Sequence, residues 1–317
     1  MTAGPTLSVI PVVGMGDVVA GSPLPRMIAD AVDLRDGDVV VVSSKVVAKA
    51  EGMLQRPAAG ESVEDARRRL TLRDEVLVQT PHVVVVRTRH GYVCANAGID
   101  ASNVGHGELL LLPRDPDTSA AAIRHDLAGF ADVGVIISDT FGRAWREGQT
   151  DVALGVAGVA PLRDERGTTD RDGRPLTVTL VAVADQVAGA ADLVRDKAAG
   201  IPVVIVRGLG HLVGAGEGAG GAALIRPAAA DLFPHGRGWL ARRLATGQGA
   251  AVRTGVPARW EWDLVVRAAG GAVTADGVML RCHDGLSAGR AEACLLDLGY
   301  AVSVVPEGAG YTVTTGV

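Results

Sequence analysis

Apolar positions along the chain fall into short runs separated by polar or glycine-rich turns. Residues 7–13 and 38–43 read as strands, and the second contains four consecutive valines, the pattern of a strand buried on both faces. A helix is expected near 25–32, and residues 45–50 leave the valine strand directly. A charged helical run covers 61–70, and residues 83–88 alternate into a strand that leads to Arg89, His90 and Gly91. Asp117, Thr118 and Ser119 are placed to cap a helix reaching about Phe130. Residues 133–137 form a further core strand, 176–183 a β-branched strand, 184–198 a helix and 203–206 another buried strand. This alternation is the grammar of a mixed α/β domain. Gly and Ala dominate 208–223, where a mobile loop is expected.

A change of style near 246–255 marks the expected end of the main domain, taken as 1–249. Beyond it Trp260 and Trp262 sit near an apolar stretch, residues 272–281 read as a hairpin around Asp276-Gly277, 287–298 as a helix, and 301–305 and 311–314 as strands. Residues 250–317 are therefore expected to form a small α+β module, near the lower size limit for independent folding. The overall fold class is α+β or mixed α/β. No internal repeat is visible.

Composition narrows the function classes. No apolar stretch in the 317 residues approaches the roughly 20 needed to cross a bilayer, so no membrane partner is expected. The N-terminus lacks a basic region before its apolar residues, which favours a cytoplasmic location. A net charge of −5 argues against general nucleic-acid binding and requires any anionic substrate to be held by a local cationic cluster. Cys94, Cys282 and Cys294 have no CxxC spacing and read as reduced thiols, not as a disulfide framework or zinc site.

The densest chemistry lies in VIISDTFGRAWREGQTDVALG at 135–155, where an apolar strand is read as breaking into a polar turn carrying Asp139, Thr140, Arg143 and Arg146. An acid and a hydroxyl at a strand end suit a metal and a phosphate, and guanidinium forks suit phosphate or carboxylate oxygens. The alternative is a solvated turn with surface ion pairs. VVVVSSKVVAKAEG at 39–52 offers Ser43, Ser44, Lys45 and Lys49 at a strand exit, suited to polyphosphate, or else a helix with lysines on a solvated face. ANAGIDASNV at 95–104 crowds Asn96, Asp100, Ser102 and Asn103 into one loop. Asp100 and Asp139 are natural partners for a hard divalent cation, against the alternative of a ligand-free Asx-turn. LRDERGTTDRDGR at 162–174 reads as an exposed loop. The spacing in GLGHLVG at 208–214 does not fit a dinucleotide fingerprint.

Taken together these segments resemble the coenzyme F420-0:γ-glutamyl ligase family over about residues 7–245. The resemblance is carried by SKVVAKAEG at 44–52, ANAGIDASN at 95–103, the run from SDTFGRAW to DGRPL at 138–176, and IRPAAADLF at 225–233. It implies GTP, Mg2+ or Mn2+, K+, a deazaflavin acceptor ending in a carboxylate (coenzyme F420-0), L-glutamate and a homodimer. Carried onto matching positions, it implies that Met15, Gly16, Asp17, Val18, Ser44, Lys49 and Asn103 contact the nucleotide, with Lys49 on its phosphates. The family's nucleotide-binding loop falls on Arg195, Asp196, Lys197, Ala198, Ala199, Gly200, Ile201 and Pro202. Asp100 and Asp139 would hold one metal and Thr140 serve a second. Lys197 stands where archaeal members offer an uncharged or acidic metal ligand, and Gly21-Ser22-Pro23-Leu24 where they carry a GDDL-like stretch.

The implied reaction makes chemical sense. A carboxylate is a poor electrophile with no leaving group, so phosphorylation by GTP must precede attack by the amine of glutamate. Lys49, Arg143 and Arg146 are the candidates to stabilise charge on the transferring group. Other readings are a ligase or kinase for another carboxylate acceptor, and a nucleotide-binding regulatory module. Two-domain bacterial relatives end in a long flavin-binding domain. The tail here is too short for one, so no FMN binding is expected.

Overall fold

The computed structural model describes residues 6–79, 83–101, 107–195, 200–227 and 230–231, with parts of 265–315. In chain order the elements begin β1 (Ser8–Val12), α1 (Leu24–Ala31), β2 (Val39–Ser43), α2 (Ser44–Ala50), β3 (Leu54–Gln55) and α3 (Val63–Thr71). They continue with β4 (Glu75–Gln79), β5 (Val84–Arg87), β6 (Val93–Ala95), β7 (Leu109–Leu110), α4 (Pro116–Leu127), β8 (Gly134–Arg143) and β9 (Arg146–Ala157). β10 (Leu162–Asp164), β11 (Leu180–Ala182), α5 (Val183–Asp192) and β12 (Val203–Arg207) follow, and β13 (Val273–Ala275), β14 (Met279–Cys282), β15 (Val302–Glu307) and β16 (Gly310–Thr315) close the chain. Two compact units divide it, Met1–Val76 with Pro81–Ala230, and Leu77–Thr80 with Asp231–Val317.

In the first unit the apolar runs build one five-stranded sheet in the order β1-β12-β2-β8-β9. Only β2 and β8 are parallel; every other neighbour is antiparallel. Val39, Val40, Val41 and Val42 are all fully buried because alternate residues face different helical layers. Val40 and Val42 join Val135, Ile137, Val203 and Ile205 against Ile28 of α1 and Ile123 and Leu127 of α4. Val39 and Val41 join Ile136, Val204 and Val206 against Val187, Ala188 and Ala191 of α5. Asp38, 1% exposed, anchors the start of β2 by accepting two hydrogen bonds of 2.8 Å from Arg207.

Several expected boundaries move, each for a local reason. The helix expected to be capped at 117–119 starts earlier. Its N-cap is Asp115, which accepts the Thr118 N–H at 3.1 Å, and Pro116 fills the first turn where no N–H is needed. The strand expected to break after 137 runs on to Arg143, because β9 pairs with it through the polar stretch. The strand at 176–183 shrinks to β11, and the helix at 184–198 ends at Asp192. The glycine-rich stretch 208–223 is not a free loop: Val213 bridges Val159, Arg124 donates to the Gly214 and Gly216 carbonyls at 2.6 and 3.0 Å, and Asp117 accepts the Gly221 and Ala222 N–H groups at 2.5 and 3.1 Å. Part of the exposed 162–174 segment pairs as β10 with β11.

The second unit contains an antiparallel sheet in the order β13-β14-β16-β15 over a core of Val265, Cys282, Ala288, Ala291, Leu295, Tyr300 and Val313. The hairpin expected at 272–281 is present as β13 and β14, and the strands expected at 301–305 and 311–314 are β15 and β16. Residues described between 288 and 295 are helical, as expected. The boundary at 246–255, Trp260, Trp262 and the Asp276-Gly277 apex lie outside the described residues. No helix among the described residues is long and apolar enough to cross a membrane.

Candidate active site

The parallel pairing of β2 and β8 sets Ser43, the last residue of β2, beside Ser138, and β8 alone continues from there, paired with β9. Past that point α2 begins at Ser44, its first turn capped by Ser43, whose hydroxyl accepts the Lys45 N–H at 3.4 Å. On β8 the next residues are Asp139 and Thr140. The carboxyl ends of adjacent parallel strands form a crevice in which helix N–H groups and side chains converge. Here it is a cleft of about 300 Å3 whose lining includes Ser44, Lys45, Asp100, Asp139, Thr140 and Gln149.

Asp100 reaches this cleft from a separate hairpin. Its backbone forms an isolated antiparallel bridge with Leu110, with N–H···O distances of 3.0 and 2.8 Å. Before it the chain turns through Asn96 and Ala97, both at positive φ (50° and 55°). Gly98 follows because a Cβ there would collide with the Leu112 side chain. Asn96 is structural: its Oδ1 accepts the Val84 N–H at 3.5 Å.

Charge in the cleft is finely divided. The Lys45 ammonium forms an ion pair with Asp100. Burial pushes the Asp139 carboxyl up to about 6; the Thr140 N–H, 2.9 Å from Oδ1, and Lys45 pull it back down, while Asp151 and Asp100 raise it further. That N–H supplies the only hydrogen bond to the Asp139 carboxylate among the described residues. A carboxylate so placed favours a cation. Two carboxylates and a hydroxyl form the hard oxygen set that Mg2+ and Mn2+ prefer, leaving positions for water or substrate oxygen. Among the described residues no group of three or more His, Cys, Asp or Glu side chains could hold an ion.

Beneath Thr140 lies Asp151, a residue the sequence reading passes over. It is 2% exposed and sits opposite Thr140 in the β8–β9 register. Its Oδ1 accepts the Thr140 hydroxyl at 2.8 Å and its Oδ2 the Ser138 hydroxyl at 2.8 Å. Arg195 ion-pairs with Asp151 and donates to Ser138 Oγ at 3.0 Å. Reading 138–155 as a hairpin instead of a turn would have found it, since that register pairs 140 with 151.

Of the other expected site residues, Met15 and Val18 are buried in the core beside α1 and α4, while Gly16 and Asp17 are exposed. Lys49 occupies the last turn of α2, half-buried and outside the cleft lining, which Lys45 joins instead. Arg143 and Arg146 are exposed at the end of the β8–β9 hairpin and do not line the cleft, and Arg143 donates to the Glu147 carbonyl at 2.9 Å. Arg195 is buried against Asp151. Gly200 adopts φ 64°, and the Pro202 carbonyl accepts the Ser43 N–H at 2.8 Å, which ties residues 200–202 to the end of β2. Ile201 is half-buried. Asn103 and Asp196, Lys197, Ala198 and Ala199 lie outside the described residues.

Comparison with known proteins follows the same residues. A family model described as F420-0:γ-glutamyl ligase matches residues 10–208, a span that holds the whole cleft. The chain is 42% identical over 243 residues to the coenzyme F420:L-glutamate ligase of Methanothermobacter thermautotrophicus, covering 71% of this chain and 95% of that protein. It is 45% identical over 215 residues to the protein of the same name from Halobacterium salinarum, covering 61% and 84%. Against that of Methanopyrus kandleri it is 41% identical over 247 residues, covering 72% and 98%.

Proposed function

This chain belongs to the F420-0:γ-glutamyl ligase family, and we propose that it is a GTP-dependent ligase forming an amide between the terminal carboxylate of coenzyme F420-0 and L-glutamate. The observation that carries this reading is the convergence of Ser44, Lys45, Asp100, Asp139 and Thr140 on one cleft where β2 ends beside β8. Three segments distant in the chain supply these groups, and each lies in a stretch that carries the family resemblance.

The acceptor carboxylate attacks the γ-phosphate of GTP, GDP leaves, and an acyl phosphate forms. The free amine of glutamate then attacks the acyl carbon, phosphate departs with the C–O bonding pair, and the ammonium proton passes to solvent or phosphate. No protein nucleophile is needed. Phosphoryl transfer demands mainly that charge on the equatorial oxygens be held and the reactants be aligned. The Lys45 ammonium lines the cleft that would hold that charge, Ser44 offers a hydroxyl to orient oxygens, and Thr140, whose proton goes to Asp151, offers an acceptor oxygen. A divalent cation held by Asp100 and Asp139 would supply the remaining positive charge. The resemblance further supports a homodimer as the working form.

Release of GDP from GTP tests the reading. GDP and a product enlarged by one glutamyl residue should form only when the deazaflavin precursor and L-glutamate are both present. GDP release indifferent to both would reject it.

A further inference from the structure

We propose that Asp151 is a positioning residue, which takes the hydroxyl proton of Thr140 and so fixes that oxygen as an acceptor toward the cleft. The inference rests on the ligase reading given above. Its geometry is that of a buried network in which both Asp151 oxygens are occupied, while Arg195 Nε has no hydrogen-bond partner among the described residues. A carboxylate beside a guanidinium accepts hydrogen bonds and cannot donate them, so the 2.8 Å contact between Thr140 Oγ1 and Asp151 Oδ1 must use the hydroxyl's single proton. What Thr140 then presents to the cleft is lone pairs. An oxygen in that state can meet a cation or a donor group; one turned the other way would point a proton at the cation and repel it.

The remaining contacts make the arrangement rigid. Ser138, fully buried, donates to the second oxygen of Asp151 and accepts from Arg195, so neither Asp151 oxygen is free to rotate to another partner. The Arg195 and Asp151 side chains are 7% and 1% exposed, and Arg195 also reaches the Val41 carbonyl at 3.5 Å. Through this pair the segment after α5 is joined to β2, β8 and β9 beside the cleft. Partners of this kind commonly fix the orientation of a ligating group, and their loss costs about 10–100-fold in metal affinity or activity. None of the three network residues Ser138, Asp151 and Arg195 lines the cleft, so Asp151 acts through Thr140 and does not touch substrate.

The test is a double-mutant cycle read by Mn2+ binding, with free Mn2+ counted by electron paramagnetic resonance, alongside GDP release. Asp151→Asn should weaken Mn2+ binding about 10–100-fold, since the amide can donate to Thr140 and turn its proton toward the cleft. Thr140→Val should weaken it by a similar factor, and the double variant Thr140→Val/Asp151→Asn should be no worse than Thr140→Val alone. Because Asp151→Asn strips Arg195 of its partner, Asp151→Asn/Arg195→Met is measured in parallel to keep the comparison among folded proteins. Weak Mn2+ binding in that neutral pair supports the positioning role. Unchanged Mn2+ affinity in Asp151→Asn or in Asp151→Asn/Arg195→Met, or losses that simply multiply in the cycle, overturns it. Failure of the ligase reading has a different signature: wild type would bind Mn2+ and show the cycle, yet release no GDP in the presence of both substrates.

Discussion

Lys45 and Asp100 form an ion pair across the cleft, joining the first turn of α2 to the hairpin that carries Asp100. Both side chains are about one-quarter to one-third exposed, so the pair is partly screened and contributes on the order of 1 kcal/mol. The ammonium competes with any divalent cation for Asp100, yet it is also the cleft's own positive charge toward phosphate. Lys45→Met should therefore move two measurements in opposite directions. Mn2+ affinity should rise roughly fivefold while the rate of GDP release falls at least about tenfold. A parallel fall in both would show that Lys45 supports the cation site and does not compete with it.

Asp139 gives a pH dependence whose sign follows from its burial. Its carboxyl titrates near 6 in the fold against an ordinary value of 3.8, so the folded protein holds the proton more tightly than the unfolded chain. Stability from this group is full below about pH 4 and is lost as pH rises through about 6. Asp139→Asn removes that loss. Without added metal the variant should melt above wild type at pH 8, by about 2 kcal/mol after allowance for solvent screening, and no higher than wild type at pH 3.5. Added Mn2+ should raise the wild-type melting temperature at pH 8, less so at pH 5, and leave Asp139→Asn unmoved. Ligation should be lost in the variant. Turnover by folded Asp139→Asn would remove Asp139 from the site.

How far the sequence foretold these arrangements depended on whether local pattern or tertiary pairing decided them. β2, β12 and the 135–137 part of β8 are unbroken Val and Ile runs, and burial on both faces is the simplest reason for such runs, so these buried strands were legible. Ser44, Asp139 and Thr140 were legible as polar groups ending apolar runs, and Asp100 as one of the polar residues crowded into a short loop. β9 was not, because residues 146–149 are exposed and polar and carry no alternation that marks a strand. Missing β9 hid Asp151, whose importance lies only in facing Thr140 across the hairpin. The segment 208–223 was misjudged for a related reason: its glycines signal flexibility locally, while Arg124 and Asp117, both on α4, hold its carbonyls and N–H groups from far away in the chain.

That clamp can be broken at one residue. Arg124, largely buried, donates to the carbonyls of Val133 at 2.9 Å, Gly214 at 2.6 Å and Gly216 at 3.0 Å. Arg124→Met keeps most of the stem's packing but removes every donor, leaving these carbonyls unsatisfied or opening the segment to water. A loss of about 3 kcal/mol in unfolding free energy is expected, together with new proteolytic cleavage within 208–221. Cleavage unchanged from wild type would mean that the Val159–Val213 bridge and Asp117 suffice to hold the segment.

Arg143 and Arg146 pose the sharpest question for the catalytic roles expected of the site. They face each other at the tip of the β8–β9 hairpin, both exposed, and neither lines the cleft that gathers Asp139 and Thr140. Transition-state stabilisation needs donors already aimed at the developing charge in a water-excluded site, and an exposed guanidinium held by one backbone carbonyl is not so prepared. The variant Arg143→Ala/Arg146→Ala should therefore fold with stability within about 0.5 kcal/mol of wild type and bind Mn2+ with affinity within about twofold. Its kcat for GDP release should fall by less than about tenfold, set against the complete loss expected from Asp139→Asn. A drop in kcat of roughly a hundredfold or more, with Mn2+ affinity intact, would establish that the hairpin tip reaches a reacting phosphate, whether in its own cleft or in that of a second copy of the chain. Mixing Arg143→Ala/Arg146→Ala with Asp139→Asn then separates the two cases, because only arginines acting between copies allow the mixture to regain activity that neither variant has alone.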